Sequence, residues 1–78
     1  MANSDGVVFT GGEIAKSPFK KIVVAVRDYR GARFIDIREM ELWGNGEWKF
    51  THRGVTVPIA QVRDMAVAIV QVGKFVAG

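Results

Sequence analysis

The sequence predicts an α+β domain of four strands followed by one helix, in the order β-β-β-β-α. Three observations carry that reading. Short runs rich in β-branched residues alternate with Gly- and Asn-containing turns as far as Val57. After Pro58 the apolar spacing changes from about two residues to about 3.6. A chain of 78 residues holds one domain and little else.

Residues 1–6 are small and polar and read as a loose start. Val7-Val8-Phe9-Thr10 is an apolar run stopped by Gly11-Gly12, either a minor strand or a tether. The flexible segment is accordingly drawn over residues 1–12, the folded domain over 13–73 and a tail over 74–78. Glu13 to Lys16 is a candidate lead-in strand. Ser17-Pro18 ends it, because a residue before proline is held extended.

The first strong strand is Lys20 to Asp28. Ile22, Val24 and Val26 share one face; Val23, Ala25 and Arg27 share the other. Asp28-Tyr29-Arg30-Gly31 reads as a turn with Gly31 at positive φ. The next strand runs from Ala32 to about Trp43. Ile35 and Ile37 pack inward, and Asp36 and Arg38 point outward with Arg27. A bend or bulge is expected near Glu39-Met40, where the inward pattern fails. Gly44-Asn45-Gly46 is the clearest turn signal. Glu47 to Thr51 is a third strand, His52-Arg53-Gly54 a tight turn and Val55 to Val57 a short fourth strand. Pro58 suits a first helical position. Ile59, Val62, Met65, Ala66, Ile69, Val70 and Gly73 then recur at helical spacing, giving a helix of about 14 residues ending near Gly73. Val67, Ala68 and Val72 form a second oily flank. One flank can cover the sheet; the other has no cover within so small a chain.

Composition narrows the chemistry. A domain of this size contributes only about 3–5 kcal/mol from its core and usually adds a staple. Cysteine is absent and His52 is the single histidine. Neither a disulfide nor a metal site is therefore expected, and no cofactor; self-association remains as the supplement. No apolar run reaches the roughly 18 residues of a membrane span. Asp5 and Glu13 sit where a signal peptide would be apolar. The expected setting is intracellular with no membrane partner. Catalysis is not expected. The only serines are Ser4 and Ser17, and His52 has no evident partner. Asp28 with Asp36, or Glu39 with Glu41, reads more simply as ion-paired carboxylates than as an acid–base pair. Gly44-Asn45-Gly46 is not a phosphate loop, because a strand follows it.

The basic residues are unevenly placed. Lys16, Lys20, Lys21, Arg27, Arg30 and Arg33 face a single acid, Asp28, over that stretch. Arg38, Lys49 and Arg53 follow, while the helical region holds only Arg63 and Lys74. Tyr29, Phe34, Trp43, Trp48 and Phe50 are interleaved with the cations. Cations that track phosphates and rings that stack bases suit single-stranded nucleic acid. The same residues also fit an ordinary sheet with cations outside and rings in the core. Trp43 and Trp48 flank a turn and fit either place.

Val26-Arg27-Asp28-Tyr29-Arg30-Gly31, followed by Ile35-Asp36-Ile37-Arg38-Glu39, resembles the signature of the positive cofactor 4 family of transcriptional coactivators. The similarity continues through Gly46 and Arg53-Gly54 into a short strand and helix, over about residues 13–70. It implies a four-stranded antiparallel sheet on a C-terminal helix, a homodimer and a channel for single-stranded DNA. It implies phosphate contacts at Lys20, Arg27, Arg30, Arg38, Lys49 and Arg53, and base stacking on Tyr29. The family's second stacking aromatic falls at Glu41, with Trp43 or Trp48 as stand-ins. Its basic residue after the turn glycine falls at Ala32, with Arg33 adjacent. The dimer interface is expected at Val62, Met65, Ala66, Ile69 and Val70. With few residues before the domain, the chain looks like a short prokaryotic or phage form. Its location would be cytoplasmic and nucleoid-associated in a prokaryote and nuclear in a eukaryote. The expected role is single-strand handling in transcription, replication or repair, with RNA as a second possible ligand. A competing reading is a protein-interaction module that docks a partner through its apolar helix.

Overall fold

The chain is described by a computed structural model covering residues 6–78. Four strands, β1 (Val7–Ser17), β2 (Lys20–Tyr29), β3 (Ala32–Leu42) and β4 (Trp48–Pro58), form one antiparallel sheet in the order β1-β2-β3-β4. A single 3-10 turn at Ile59–Gln61 leads into helix α1 (Val62–Ala77). The sequence predicts the strand count and order, but not the partition. The sheet begins at Val7, so residues 7–12 belong to β1 and not to a flexible lead. Residues 1–5 lie outside the described residues. The two short strands expected at Glu47 to Thr51 and Val55 to Val57 are one strand, β4.

The supposed turn at His52-Arg53-Gly54 is a bulge in β4. Arg38 pairs with Gly54 and Met40 with Phe50, so Thr51, His52 and Arg53 stand against Glu39 alone. Such insertions bend a strand without ending it. The bulge was expected near Glu39-Met40; it lies there in register, but its extra residues are on the partner strand. Thr51 Oγ1 donates to the Glu39 carbonyl at 2.9 Å and holds it. Gly54 is required opposite Arg38, because a Cβ there would lie 2.5 Å from the Ile37 carbonyl oxygen.

The β2–β3 hairpin turns on Arg30 (φ 51°) and Gly31 (φ 82°). Two successive positive φ values define the type I′ turn, which matches strand twist. Tyr29 is thus the last residue of β2 and not a turn residue. Between β3 and β4, Gly46 (φ 84°) donates to the Trp43 carbonyl and Asn45 Oδ1 accepts from the Glu47 amide.

Register fixes the two faces of the sheet. Lys21, Val23, Ala25, Arg27 and Tyr29 lie opposite Met40, Arg38, Asp36, Phe34 and Ala32, and so share one face. Ile22, Val24 and Val26 lie opposite Glu39, Ile37 and Ile35 on the other. The helix covers little of this apolar face. It buries none of its own residues, and its main contact with the sheet is with β4. The expected sheet-covering flank is therefore open within one chain. The core is correspondingly thin: among the described residues Val23, Ala25 and Val57 are the buried hydrophobics. The Cα radius of gyration is 14.2 Å, against about 11.5 Å for a compact domain of this length. The helix also runs past Gly73 to Ala77, so residues 74–77 are its last turn and not a tail. A mid-helix glycine costs only about 1 kcal/mol relative to Ala, and Lys-Phe-Val-Ala after it continues the helix. Asp64 in the first turn and Lys74 in the last complement the helix dipole.

Candidate nucleic-acid interface

The sheet face opposite the apolar one carries an acidic anchor between two arginines. Asp36 is only 2% exposed. Arg38 donates to its carboxylate from Nε at 3.1 Å and from Nη2 at 2.9 Å, and Arg27 Nη1 stands 3.5 Å away. Arg38 Nη1 also donates to the Thr51 carbonyl at 3.1 Å, which ties it to the bulge. Alternation explains the cluster. Asp36 lies opposite Ala25 on β2, and the small side chain leaves room for both guanidiniums above it. Asp36 and Arg38 do share the face of Arg27, as expected, but Asp36 is buried beneath the arginines and is not a solvated outward residue.

Around this anchor the face forms an open trough of about 390 Å³, lined by Arg27, Tyr29, Phe34, Asp36, Arg38, Phe50, Thr51, His52 and Thr56. Tyr29 is half exposed and the Arg30 guanidinium lies 5.3 Å from its ring centre. Phe50 is 43% exposed, with the Arg27 guanidinium 5.2 Å from its ring centre. The trough therefore presents rings beside fixed cations.

The structure brings together only part of the predicted set. Arg27, Arg38 and Tyr29 line the trough, with Arg30 at its end. Lys20, Arg33, Lys49 and Arg53 are elsewhere, each beside a carboxylate. Arg33 forms a two-pronged bridge to Asp28 at 2.7 and 3.1 Å. These hydrogen bonds, with the attraction of the opposite charge, hold Asp28 below and Arg33 above their ordinary pKa values. Lys49 pairs with Glu47 at 3.2 Å, and its Nζ lies 5.3 Å from the Trp43 ring centre. Trp43 follows the end of β3 and is half exposed, whereas Trp48 is partly buried under Lys21 Nζ at 4.3 Å.

Glu39 is the hub on the apolar side. It is 7% exposed and opposite Ile22. Lys16 Nζ donates to its Oε1 at 3.1 Å; Lys20 Nζ and Arg53 Nη1 stand 3.8 and 3.6 Å from its Oε2. One carboxylate thus collects cations from β1, β2 and β4. The Lys16 hydrogen bond, aided by the charges of Lys16, Lys20 and Arg53, holds its pKa below the usual carboxylate range against the opposing effect of burial.

The sequence places Phe34 and Phe50 only among the rings interleaved with the cations, and it offers no signal for His52. Phe34 shares the parity of Asp36 and Arg38, so that signal was present. Phe50 and His52 required the β4 register and its bulge, which no local pattern gives. Among the described residues no group of three or more His, Asp or Glu is placed to hold a metal, and no helix is long and apolar enough to cross a membrane.

The pattern of the family described as Transcriptional Coactivator p15 (PC4) matches residues 16–66. Two crystal forms of BPSL1147, a PC4 homolog from Burkholderia pseudomallei, are similar in structure. The orthorhombic form gives a TM-score of 0.77 at 19% identity, covering 94% of this chain and 95% of that one. The tetragonal form gives 0.76 at 22% identity, covering 82% and 94%. No curated protein matches the sequence. The four-stranded antiparallel sheet with one C-terminal helix is the fold of those structures, and the chain belongs to the Transcriptional Coactivator p15 (PC4) family.

Proposed function

We propose that this protein is a homodimer that binds single-stranded DNA along the Arg27–Asp36–Arg38 trough. The observation that carries the reading is the pair of guanidiniums held by one buried carboxylate beside exposed rings. Arg27 and Arg38 track phosphates; Tyr29 and Phe50 offer faces to unpaired bases. A duplex buries its base faces in its own stack and has nothing to place on those rings. Membership of the Transcriptional Coactivator p15 (PC4) family supports DNA as the ligand. The role is binding and not catalysis: the trough holds one histidine and one carboxylate already engaged by two arginines.

Dimerisation is inferred from the uncovered apolar surface. Ile69, Val70, Val72 and Phe75 are more than half exposed on the helix, and the strand residues Phe9, Ile14 and Val55 are exposed on the sheet. Monomeric soluble proteins seldom leave so much apolar area open. The expected dimer positions Val62, Met65, Ala66, Ile69 and Val70 all lie on this helix, and none of them is buried in the single chain.

Anisotropy titration tests the binding. One sequence is offered as single-stranded DNA, duplex DNA and single-stranded RNA at two or more salt concentrations. Single strands should bind tighter than duplex. The cations at each trough, Arg27, Arg30 and Arg38, should give a slope of log K against log salt of about −2 when one trough of the dimer is engaged and about −4 when both are. Equal affinity for duplex, or a slope near zero, refutes the reading. Sedimentation equilibrium at micromolar concentration should give a dimer mass; a mass of 8.6 kDa refutes the homodimer and favours docking of a different chain on the helix.

A further inference from the structure

The molecule has a second concavity beyond the trough. It is lined by Glu41, Trp43, Phe50, Thr51, His52 and Arg53 and has a volume of about 430 Å³. It shares Phe50, Thr51 and His52 with the trough, so the two adjoin at the bulged stretch of β4. By register Glu41 lies opposite Lys20 and Lys49, on the face away from Arg27. A strand leaving the trough over the bulge therefore arrives at Trp43 and Glu41. We propose that this concavity is a base-selective subsite, with Trp43 as stacking platform and Glu41 as the reader that prefers guanine.

Three features support this. Trp43 is 53% exposed although it is the largest kind of apolar side chain. A ring has two faces, and Lys49 Nζ, 5.3 Å from the ring centre, stands over one of them. That ammonium is also placed to meet the phosphate of a stacked nucleotide. Second, the Glu41 carboxylate is not consumed. Among the described residues its one ionic neighbour is Arg53 Nη1 at 3.6 Å, beyond hydrogen-bond distance, and Glu39 Oε2 shares that same Nη1 at 3.6 Å. Third, a carboxylate offers acceptors only. Guanine presents two adjacent donors on its pairing edge, N1–H and N2–H, which match two carboxylate oxygens. Adenine and cytosine each present one amino group. Thymine presents one N–H between two carbonyl oxygens, which the carboxylate repels. The order of preference is therefore guanine, then cytosine and adenine, then thymine.

The inference rests on the single-strand reading above, and its test separates the two. A fluorescein-labelled thymidine oligonucleotide is compared with the same oligonucleotide carrying one guanine, moved position by position, by anisotropy. One or a few positions should bind about tenfold tighter with guanine, within the range for a good paired contact to a base edge. Replacing that guanine by hypoxanthine, which lacks the 2-amino group, should remove part of the gain. Glu41→Gln should abolish the guanine-to-thymine ratio at that position while thymidine binding is kept or strengthened, since a negative charge near phosphates is lost. Trp43→Leu should weaken both oligonucleotides. Thymidine binding with no positional guanine preference, or a preference that survives Glu41→Gln, overturns the subsite and leaves the trough standing. Absence of binding to every oligonucleotide overturns both.

Discussion

Replacing Asp36 by Asn should lower stability and strengthen single-strand binding together. Asp36 is 2% exposed and receives hydrogen bonds from Arg38 Nε and Nη2, with Arg27 Nη1 at 3.5 Å. Removing one partner of a buried pair costs about 3–5 kcal/mol when both charges are enclosed. Here the arginine side chains keep 27% and 21% of their exposure, so water screens part of the loss. A cost of about 1–3 kcal/mol follows, and at about 4–8 °C per kcal/mol for a small domain the melting temperature should fall by about 5–20 °C. The binding effect has the opposite sign. The carboxylate neutralises one of two guanidiniums that face the trough. With an amide in its place a further phosphate can be engaged, making the salt slope about 0.7 more negative. Circular dichroism melting and anisotropy over a salt series, on the same protein preparation, measure both effects. An unchanged melting temperature would show that Asp36 is no brace. Weaker binding per folded molecule with an unchanged slope would refute the idea that the carboxylate masks charge.

Tyr29→Ala should weaken single-strand binding by about 1–3 kcal/mol with little change in salt slope, whereas Arg38→Ala should reduce the slope by about 0.7. Unchanged affinity per folded Tyr29→Ala molecule, with a lower melting temperature, would make the ring a strand-end cap. Gly54→Ala places a Cβ 2.5 Å from the Ile37 carbonyl oxygen and 2.9 Å from Arg38 Cα, so β3 and β4 must part. Thermal melting should show a loss of about 3 kcal/mol, the upper end for overpacking, and wild-type stability would contradict the bulge register. Because the Glu39 pKa is lowered in the folded state, its contribution is present above the unfolded value, about 4.3, and is lost as pH falls through the lower folded value. Melting temperature should drop below about pH 4.5, and Glu39→Gln should flatten that acid limb; an identical acid limb in the variant would exclude Glu39 as its source.

What could be read from the sequence was whatever depends on neighbours in the chain. Alternation placed Arg27, Asp36 and Arg38 on one face, and Gly31 marked the hairpin. The helix after Pro58 followed from apolar spacing. What could not be read depends on pairing between distant residues. His52-Arg53-Gly54 looks like a turn by composition, because a bulge and a turn both need small or polar residues. Only the pairing of Gly54 with Arg38 distinguishes them. Glu39 breaks the inward pattern and reads in the sequence only as a bend. Its actual role, holding Lys16, Lys20 and Arg53, required three other strands in place. Val7 to Gly12 stays open between strand and tether in the sequence because two adjacent glycines weaken β propensity. Pairing with Val24 to Arg27 supplies the order that the local sequence lacks.

The internal ion pairs bear directly on the choice between single strand and duplex. Duplex DNA carries one charge per about 1.7 Å of axis, so an unmodulated basic sheet would favour it on charge alone. This sheet is not unmodulated. Asp36 offsets Arg27 and Arg38, Asp28 offsets Arg33, Glu39 sits among Lys16, Lys20 and Arg53, and Glu47 offsets Lys49. Each carboxylate subtracts from the electrostatic attraction that any polyanion would feel, leaving a net charge of only +3. The exposed rings of Tyr29, Phe50 and Trp43 are not reduced by any of these pairs. Their stacking is available only to unpaired bases and contributes about 1–3 kcal/mol per base. Asp36, the buried carboxylate of the proposed binding face, would thus act as a selectivity device. It would weaken the term that duplex and single strand share and leave intact the term that only a single strand can use.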